Sequence, residues 1–268
     1  MALRELTRAE HHSVRMTSNE TQTDDTSARA YLILGAGGGI GSALARRLAA
    51  SGATLMLVGR REEPLAALAL ELGAHYATAD VTDFSEVDRV ADLAHAMIGR
   101  LDGVANCVGS LILKPAHLTK AEEFQATIAT NLTTAFGTVR SAARVMTGGG
   151  SVVLCSSAAA RIGLANHDAI AAAKAGILGL TLSAAATYAS RGLRVNAVAP
   201  GLVRTPLTTR ITSSVPASEA SRSMHALGRL GEPEDVANMI AWLLGPESTW
   251  VTGQCYGVDG GLGTVRSK

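Results

Sequence analysis

Lys174 is the residue of this sequence best placed to do chemistry, because it is an isolated cation in an alanine-rich, apolar segment. His167 precedes it by seven residues and Ile170 by four. Residues at these spacings lie near one face of a helix, so both side chains are expected close to the lysine if the helix extends back to His167. A histidine titrates near neutral pH and could therefore transfer a proton to a ligand at this place.

The segment 163–176 is expected to contain the start of the helix that carries this lysine. The run from Ala169 to Ala173 has high helix propensity. Asn166 or Asp168 could cap the first turn. Lys174 should then lie about two turns into the helix.

The composition is that of a globular chain with one large core. Of the 268 residues, 47% are hydrophobic and 18% are charged, and no low-complexity linker interrupts them, which favours a single domain. The formal net charge is +1 with both signs interspersed, so the sequence has no electrostatic footprint for nucleic acid or a membrane surface. A small molecule is the expected partner.

Three cysteines, Cys107, Cys155 and Cys255, lie far apart in apolar runs, which is typical of free thiols in a reducing compartment. No metal site and no membrane span are expected. Residues 1–29 are polar and lack the apolar core of a leader peptide, so they are expected to form a disordered or loosely docked tail before a domain at 30–268. A cytoplasmic location is the default expectation.

A glycine-rich segment, 35–41, stands between an apolar run at 30–34 and a helical pattern at 42–50. This order predicts a strand, a turn and a helix. Glycines let the backbone approach a pyrophosphate closely, and the start of the helix offers unpaired N–H groups and the positive end of its dipole. A glycine cluster alone could equally be a flexible turn, so the interpretation depends on the residues downstream of it.

The residues after the second expected strand, 54–58, indicate which dinucleotide would bind. Dinucleotide-binding folds place an acidic residue at this strand end to accept the ribose hydroxyls, but here Gly59 is followed by Arg60 and Arg61. A guanidinium matches a ribose 2′-phosphate in charge and geometry. The pair therefore predicts NADP(H) in preference to NAD(H), the alternative being two solvated arginines at a helix start.

Strand and helix patterns continue to alternate along the chain. Strands are expected at 75–79, 103–107 and 151–155, and helices at 63–71, 84–97 and 120–146. This alternation predicts an α/β fold: a Rossmann-like, doubly wound parallel sheet with helices on both faces. Ligands bind beyond the carboxyl ends of such strands, where Asp80 and Asn106 would lie. Asn131, in the middle of the long helical segment, would by itself more often be a satisfied core residue.

Taken together, these features resemble the short-chain dehydrogenase/reductase family, in a compact form similar to β-ketoacyl carrier-protein reductases. The resemblance covers about residues 30 to 263. It rests on Gly35-x-x-x-Gly39-x-Gly41, Asp80, Asn106-x-x-Gly109, Asn131, Ser157, Lys174 and Pro200-Gly201. It implies a nicotinamide-dependent oxidoreductase that acts on a small molecule and is usually a tetramer.

The same resemblance implies particular roles. Segments 228–235 and 258–261 would be the entry to the last helix and the last strand, and 207–224 would be a mobile substrate lid. The implied cofactor contacts are Gly35, Gly38, Gly39, Ile40 and Gly41 at the pyrophosphate, Asp80 and Val81 at the adenine, Asn106 and Gly109 at the floor, and Pro200, Gly201, Val203 and Thr205 at the nicotinamide carboxamide.

The sequence departs from the family pattern at the catalytic tyrosine. That pattern has a tyrosine four residues before the lysine and a serine thirteen residues before the tyrosine. Ser157 and Lys174 match, whereas Ile170 occupies the tyrosine position. The tyrosine donates a proton to the substrate oxygen, and isoleucine has no proton to give. The resemblance still implies that Ser157 orients a carbonyl, that Lys174 bonds the nicotinamide ribose and that Asn131 supports a water beside the lysine.

Three interpretations of the missing acid stay open. His167 could supply the proton, since the family's enoyl-reductase branch has its tyrosine at the same offset from the lysine. The acceptor could instead be an enone, a quinone or an iminium whose product takes its proton from water. The chain could also bind NADP(H) or a partner chain without turnover. Substrate selection is expected from 110–118, where Lys114 could meet an anion or simply be solvated, and from the lid.

Overall fold

The computed structural model describes residues 28–265, so most of the expected tail lies outside the described part of the chain, as do residues 266–268. Within that part the protein is one seven-stranded parallel sheet with helices on both faces, which confirms the predicted fold class.

The strands are β1 (Ala30–Leu34), β2 (Thr54–Gly59), β3 (His75–Thr78), β4 (Gly103–Asn106), β5 (Gly150–Cys155), β6 (Leu193–Pro200) and β7 (Cys255–Val258). All five strands expected from apolar runs agree with these bounds within one residue at each end. The sheet order is β3-β2-β1-β4-β5-β6-β7, and it reverses between β1 and β4, the place where doubly wound sheets bind ligands. Because every described pair is parallel, the carboxyl ends of these strands lie at one edge of the sheet.

Helices connect the strands and cover the sheet. They are α1 (Gly39–Ala49), α2 (Glu62–Leu72), α3 (Phe84–Ile98), α4 (Ala121–Ile128), α5 (Thr134–Val145), α6 (Asp168–Tyr188), α7 (Thr209–Thr212), α8 (Val215–Met224) and α9 (Pro233–Leu244). The helical segment expected at 120–146 is therefore helical but not uniform, because a π-helical turn, Ala129–Thr133, separates α4 from α5.

The core occupies both faces of the sheet. All five residues of β1 are buried, and alternate side chains enter different clusters: Leu32 and Leu34 pack with residues of α3, α5 and α6, while Tyr31 and Ile33 pack with residues of α1, α2 and α9. Side chains alternate between the faces of a strand, so a central strand covered on both sides is apolar throughout. This burial fixes β1 and β4 side by side beneath the ligand-binding edge.

Two strands differ from the sequence analysis. The segment 193–199, for which the sequence analysis predicts no element, forms most of β6. The last strand, expected at 258–261, ends at Val258, because the Asp259 carboxylate accepts the N–H groups of Gly261 (3.0 Å) and Gly263 (3.0 Å) and closes a turn there.

The helix that carries Lys174 is long and apolar. By length and composition the segment Asp168–Arg191, with a mean hydropathy of 1.6, passes the test for a membrane span. Core helices of globular proteins pass the same test, and α6 packs against β5 and β6, with Ala173, Ile177 and Ala184 buried on that side. We therefore describe α6 as a core helix.

Candidate active site

The glycine-rich turn that follows β1 is tight and forms a concave backbone surface. The N–H groups of Gly35 (2.8 Å) and Ala36 (3.0 Å) both bond the Val58 carbonyl, and Gly35 has a left-handed φ of 81°. A Cβ on Gly41 would lie 2.2 Å from the Gly35 carbonyl oxygen, so a side chain there would overlap the turn. The turn is therefore a rigid feature rather than a flexible one.

The start of α1 faces outward from this concave surface. Its first described backbone bond runs from Ser42 N–H to the Gly38 carbonyl (2.9 Å), and no described residue accepts the N–H groups of Gly39, Ile40 or Gly41. Unpaired N–H groups at a helix start are a ready site for a phosphate. Gly37 has open space where a Cβ would be. The residues present thus fit the pyrophosphate of a dinucleotide.

The segment after β6 closes over the same helix start. A Cβ on Gly39 would lie 2.7 Å from Cγ2 of Thr205, which shows how closely the two segments approach. The Thr208 hydroxyl holds the segment after β6 by donating to the Val203 carbonyl (2.5 Å) and accepting from Thr205 N–H (3.1 Å). Pro200, Gly201, Val203 and Thr205 are thereby brought to the cleft beside the glycine-rich turn.

Lys174 is buried, with 7% of its surface exposed, and its Nζ donates to the Cys155 carbonyl at 2.7 Å. Burial lowers the pKa of this ammonium, and no described carboxylate pairs with it. A Cβ on residue 109 would lie 3.5 Å from Nζ, so the glycine at this position keeps the space beside the ammonium free of side-chain atoms. An ammonium has three donors. Those not used by Cys155 remain for a ligand.

The cysteines do not provide a reactive group at this site. All three are free, and Cys107 and Cys155 line the cleft near Lys174. Burial raises the pKa of both thiols, which keeps them protonated. Among the described residues, no group of three or more histidines, cysteines and carboxylates is arranged to hold a metal ion.

Asn131 lies in the π-helical turn and is almost fully buried. Its amide nitrogen donates to the Thr127 carbonyl (2.9 Å) and to the Ser110 hydroxyl (2.9 Å), and its oxygen accepts from Ser110 N–H (3.2 Å). These contacts occupy both donors of the side chain. Asn131 therefore fixes the Ser110 backbone at the cleft, and its side chain does not line the cleft itself.

Ser157 and Ile170 both line the cleft. Ser157 follows β5, and its Oγ accepts Ala159 N–H (3.2 Å), which leaves its own proton available. Ile170 lies in the first turn of α6, four residues before Lys174, and has only 3% of its surface exposed. The position four residues before the lysine therefore presents an aliphatic side chain to the cleft.

His167 lies just outside α6, so the condition under which it would share the helical face of Lys174, a helix that extends back to His167, is not met. The helix begins at Asp168, and His167 is its N-cap residue, with φ −103° and ψ 15°. Neither Asn166 nor Asp168 caps the helix, since no side-chain cap bond is present and Asn166 takes a left-handed φ of 64°. The turn rather than the helical repeat therefore directs His167 into the cleft.

The hydrogen bond of His167 defines which nitrogen is available. Its Nδ1 lies 2.8 Å from the Ala165 carbonyl, and because a carbonyl can only accept, Nδ1 carries a proton. In the neutral ring Nε2 then has a lone pair and no proton. His167 can accept a proton as a neutral base, and it can donate one from Nε2 only as the imidazolium.

The residues assigned to the adenosine end lie at the ends of β2 and β3, outside this cleft. Asp80 accepts from the N–H (3.1 Å) and hydroxyl (2.8 Å) of Thr82, and these bonds, with the charge of Arg60, lower its pKa. Val81 is buried beside it. Arg60 and Arg61 are exposed and make no ion pair or hydrogen bond with another residue of the described chain.

Asn106 acts on the cleft through its neighbours. It is buried, its Nδ2 donates to the Thr138 hydroxyl (2.9 Å), and its Oδ1 accepts Val108 N–H (2.9 Å). It thereby shapes the loop that ends at Gly109. A Cβ on Gly35 would lie 2.9 Å from the same loop, at Cys107 and Val108, so β1 and β4 end in contact.

These elements enclose a cleft of about 540 Å³. It brings together many of the sequence-predicted residues: Gly38, Gly39, Ile40, Gly109, Ser157, His167, Lys174, Pro200, Gly201, Val203 and Thr205. Gly35, Gly41, Asn106 and Asn131 support it from behind. Sequence reasoning missed Leu164, Ala165 and Leu262, which also line it, because apolar loop residues carry no recognisable pattern.

The segment 207–224, named as a lid in the sequence analysis, lies over the cleft as α7 and α8. Its apolar side chains Leu207, Ile211 and Met224 line the cleft. His225, another residue that the sequence analysis missed, follows α8 and is buried; its Nδ1 bonds the Ser221 carbonyl (2.7 Å), and its Nε2 accepts Leu202 N–H (3.2 Å). The histidine thus joins this segment to the one after β6.

Lys114 keeps 30% of its side chain exposed to solvent, in line with one of the two alternatives considered for it, and it is also paired with a carboxylate. Its ammonium pairs with both oxygens of Glu123, at 2.8 and 3.0 Å. The Lys114 N–H also bonds the Asn166 carbonyl (2.7 Å). The loop after β4 is therefore tied to α4 on one side and to the turn before His167 on the other.

Known proteins with similar sequences match this chain over nearly its whole length. The family described as enoyl-(acyl carrier protein) reductase matches residues 35–263. A cis-4-hydroxycyclohexanecarboxylate dehydrogenase from Sinomonas cyclohexanicum is 38% identical over 244 residues, which are 88% of this chain and 97% of the relative. A 3-oxoacyl-acyl-carrier-protein reductase from Thermotoga maritima is 37% identical over 240 residues, which are 86% of this chain and 96% of the relative.

A solved structure is also similar: a short-chain type dehydrogenase/reductase from Mycobacterium ulcerans, with a TM-score of 0.85 and 37% sequence identity, matches 89% of this chain and 91% of its own. These relatives are oxidoreductases, and membership of their family implies that the cleft binds NAD(P). The chain belongs to the short-chain dehydrogenase/reductase family.

Proposed function

We propose that this protein is an NADPH-dependent oxidoreductase that reduces a carbonyl or a conjugated C=C or C=N acceptor at an active site without the tyrosine acid. One observation carries the proposal: Ser157, Lys174 and the glycine-rich turn line a single cleft, and Ile170 lines it beside them. The groups that bind a nicotinamide nucleotide and orient a carbonyl are thus present together, and the group that differs is the proton donor.

A bound nicotinamide cofactor supplies the hydride. The N–H groups at the start of α1 hold the pyrophosphate, and the Nζ of Lys174 donates to the ribose hydroxyls on the nicotinamide side. The proposed cofactor contacts are Gly35, Gly38, Gly39, Ile40, Gly41, Arg60, Arg61, Asp80, Val81, Asn106, Gly109, Lys174, Pro200, Gly201, Val203 and Thr205.

The preference for NADP(H) rests on Arg60 and Arg61. Both guanidiniums follow β2, are exposed, and make no ion pair within the described chain. Gly59 brings this strand end to the glycine-rich turn, since its Cβ would lie 3.8 Å from Gly37 N. Two cations beside the pyrophosphate site favour a ribose that carries a 2′-phosphate.

Ser157 donates its hydroxyl proton to the substrate oxygen and so orients the acceptor. His167 is the proposed proton donor, because it reaches the cleft with Nδ1 held by Ala165 and Nε2 available. The imidazolium transfers the Nε2 proton to the oxygen that becomes negative during reduction. In the reverse reaction, the neutral Nε2 accepts the proton of an alcohol.

A second candidate function is supported by Ile170, which offers no proton: the protein would bind NADP(H), or a partner chain, without turnover. A third candidate is an enzyme that reduces enones, quinones or iminium ions, whose products take a proton from water.

Several wider features are also proposals. The segment 207–224 closes over the substrate as a lid. A homo-oligomer, expected to be a tetramer, is supported by the family and by exposed aromatic side chains such as Phe136 and Trp250. A cytoplasmic location is supported by the free cysteines. The name of the Sinomonas cyclohexanicum relative makes cyclic alcohols and ketones the first substrates to test.

NADPH oxidation with a panel of simple ketones, enones, quinones and imines tests the proposal. Turnover of ketones would support His167 as the acid, and turnover of conjugated acceptors alone would favour protonation by water. If NADPH raises the melting temperature while every acceptor leaves it unoxidised, the protein is a binding protein and the enzyme proposal is wrong.

A further inference from the structure

The part of the cleft that is left for the substrate is lined mostly by aliphatic side chains. Leu207, Ile211 and Met224 belong to the 207–224 segment, Leu113 to the loop after β4, and Leu164 to the turn before α6. Leu113, Leu207 and Met224 remain 44%, 53% and 48% exposed, so the rim of the cleft is apolar as well. Such a surface gains free energy by contact with apolar parts of a ligand.

Positive charge is scarce in this cleft. Among the described residues that line it, the side chains that can be cationic are Lys174 and His167. Lys174 lies at the floor, bonded to Cys155, and the proposed function assigns its remaining donors to the cofactor. Lys114, in the loop above, is already neutralised by Glu123. The proposed function assigns His167 to the reacting oxygen, so a carboxylate or phosphate elsewhere on the substrate would have no cation dedicated to it.

The hydroxyl groups of the cleft add little for an anion. Thr208 and Ser156 already donate to the carbonyls of Val203 and Lys174. Ser110 accepts from Asn131 and keeps its own proton, but a neutral hydroxyl supplies no charge to pair with an anion. Ser157 is reserved for the reacting oxygen. A buried charge without a partner is costly and a neutral group of the same size is not, so the lining discriminates against anionic substrates.

Resting on the proposed function, we propose that the substrate is an uncharged, largely apolar small molecule, a ring of about the size of cyclohexanone with one reacting carbonyl and no carboxylate or phosphate. A cleft of about 540 Å³ that must also admit the nicotinamide end of the cofactor still has room for a ring of this size. Such a substrate differs in charge from that of a reductase or dehydrogenase that acts on a ring carboxylic acid.

The test compares an acid with its ester. With the full-length protein and saturating NADPH, 4-oxocyclohexanecarboxylate is expected to show at least about a tenfold lower kcat/KM than its methyl ester, with cyclohexanone as the neutral reference. Two inert ligands, cyclohexanecarboxylate and methyl cyclohexanecarboxylate, are titrated in parallel by calorimetry. Their binding does not require turnover, so it tests the substrate class even if the enzyme proposal fails.

A charge placed on the 207–224 segment should reverse the preference. Ile211 is half-buried, so Ile211→Lys can extend its ammonium into the cleft, and Ile211→Met is a neutral control of similar length. Ile211→Lys is expected to raise the affinity for the inert acid by about tenfold relative to Ile211→Met, and to leave NADPH binding unchanged. A His167→Gln background removes the other positive charge that faces the ligand.

Equal affinity of the native protein for the acid and the ester would overturn the substrate class, and so would tighter binding of the acid. Failure of both inert ligands to bind the NADPH complex would overturn it too, because the cleft would then not accept small apolar rings. Failure of NADPH itself to bind would instead contradict the proposed function, and the ester and acid would then be compared on the protein without cofactor.

Discussion

The two halves of the cleft are constructed differently. On the cofactor side, backbone groups at strand ends define the surface: Gly41 leaves no room for a side chain, and Lys174 is buried with one bond to Cys155. On the substrate side, short helices and loops supply aliphatic side chains, several of them half-exposed. The first half is specified by chain geometry and can tolerate few substitutions. The second is specified by side-chain choice and can change its ligand without disturbing the fold.

Because the two halves are constructed differently, the side chain at position 170 can differ while the contacts of Lys174 are kept. Ile170 lies in the first turn of α6, where the helix meets the substrate side, and its replacement leaves every bond of Lys174 in place. His167, one residue before the helix, lies in a turn that is free to present another group. We therefore expect the aliphatic side chain of Ile170 to affect proton transfer at this site and to leave the contacts of Lys174 unchanged.

Removal of the Lys174 charge should have the largest effect on the cofactor side. Lys174→Met is expected to lower kcat/KM for NADPH oxidation by about 10²–10³-fold, because a preorganised, desolvated donor is lost. Lys114→Met is the matched control: its ammonium is engaged by Glu123 outside the reacting position, so activity should stay within about twofold of the native value. Similar losses of kcat/KM in both variants, measured by steady-state kinetics, would contradict the special role of Lys174 on the cofactor side.

Two alanine substitutions compare a crowded glycine with an open one. Gly41→Ala places a Cβ 2.2 Å from the Gly35 carbonyl oxygen and is expected to lower the free energy of unfolding by about 1–3 kcal/mol. Gly179→Ala, in the middle of α6 with nothing within 4 Å of its Cβ, should raise it by about 0.5–1 kcal/mol. Urea unfolding measures both, and a destabilisation of equal size at the two sites would contradict the packing described for the turn.

His225 bonds both the 207–224 segment on the substrate side and the segment after β6 on the cofactor side. Its substitution should therefore loosen the 207–224 segment. His225→Leu removes the acceptor of Leu202 N–H and the donor to the Ser221 carbonyl, and it is expected to cost about 1–2 kcal/mol of unfolding free energy. Since the 207–224 segment would be released, KM for the acceptor should rise more than kcat falls. His225→Gln keeps polar groups on the side chain and should recover part of the loss; identical values for Leu and Gln would argue against these bonds.

The smallest of these effects concerns cofactor choice. Arg60→Ala is expected to weaken NADPH binding by about tenfold and NADH binding hardly at all, because only NADPH has a 2′-phosphate for the guanidinium to pair with. Arg47→Ala, an exposed arginine late in α1, provides the surface-charge control. Fluorescence titration of the native protein and of both variants gives the dissociation constants for NADPH and for NADH. Equal weakening of NADPH and NADH would contradict a phosphate contact at Arg60.

The cofactor half could be predicted from the sequence because its signals are local. Strand, glycine-rich turn and helix follow one another along the chain, and alternation with helices places the strand ends together. The substrate half depends on contacts between distant segments. The bond from Lys114 to Asn166, the ion pair with Glu123 and the role of His225 have no local pattern. The helix start itself agrees with the prediction, but the predicted capping residues, Asn166 and Asp168, are wrong, since a left-handed Asn166 ends the preceding turn and no side chain caps the helix.

The rate of a single turnover in His167→Gln decides whether this histidine is the acid. Stopped-flow absorbance follows NADPH oxidation by cyclohexanone with both ligands saturating, and fluorescence titration checks that NADPH still binds. We expect NADPH affinity to be unchanged and the rate to fall by at least about 100-fold, because glutamine cannot deliver a proton. A rate equal to that of the native protein would contradict the assignment of His167 as the acid that takes the place of the missing tyrosine.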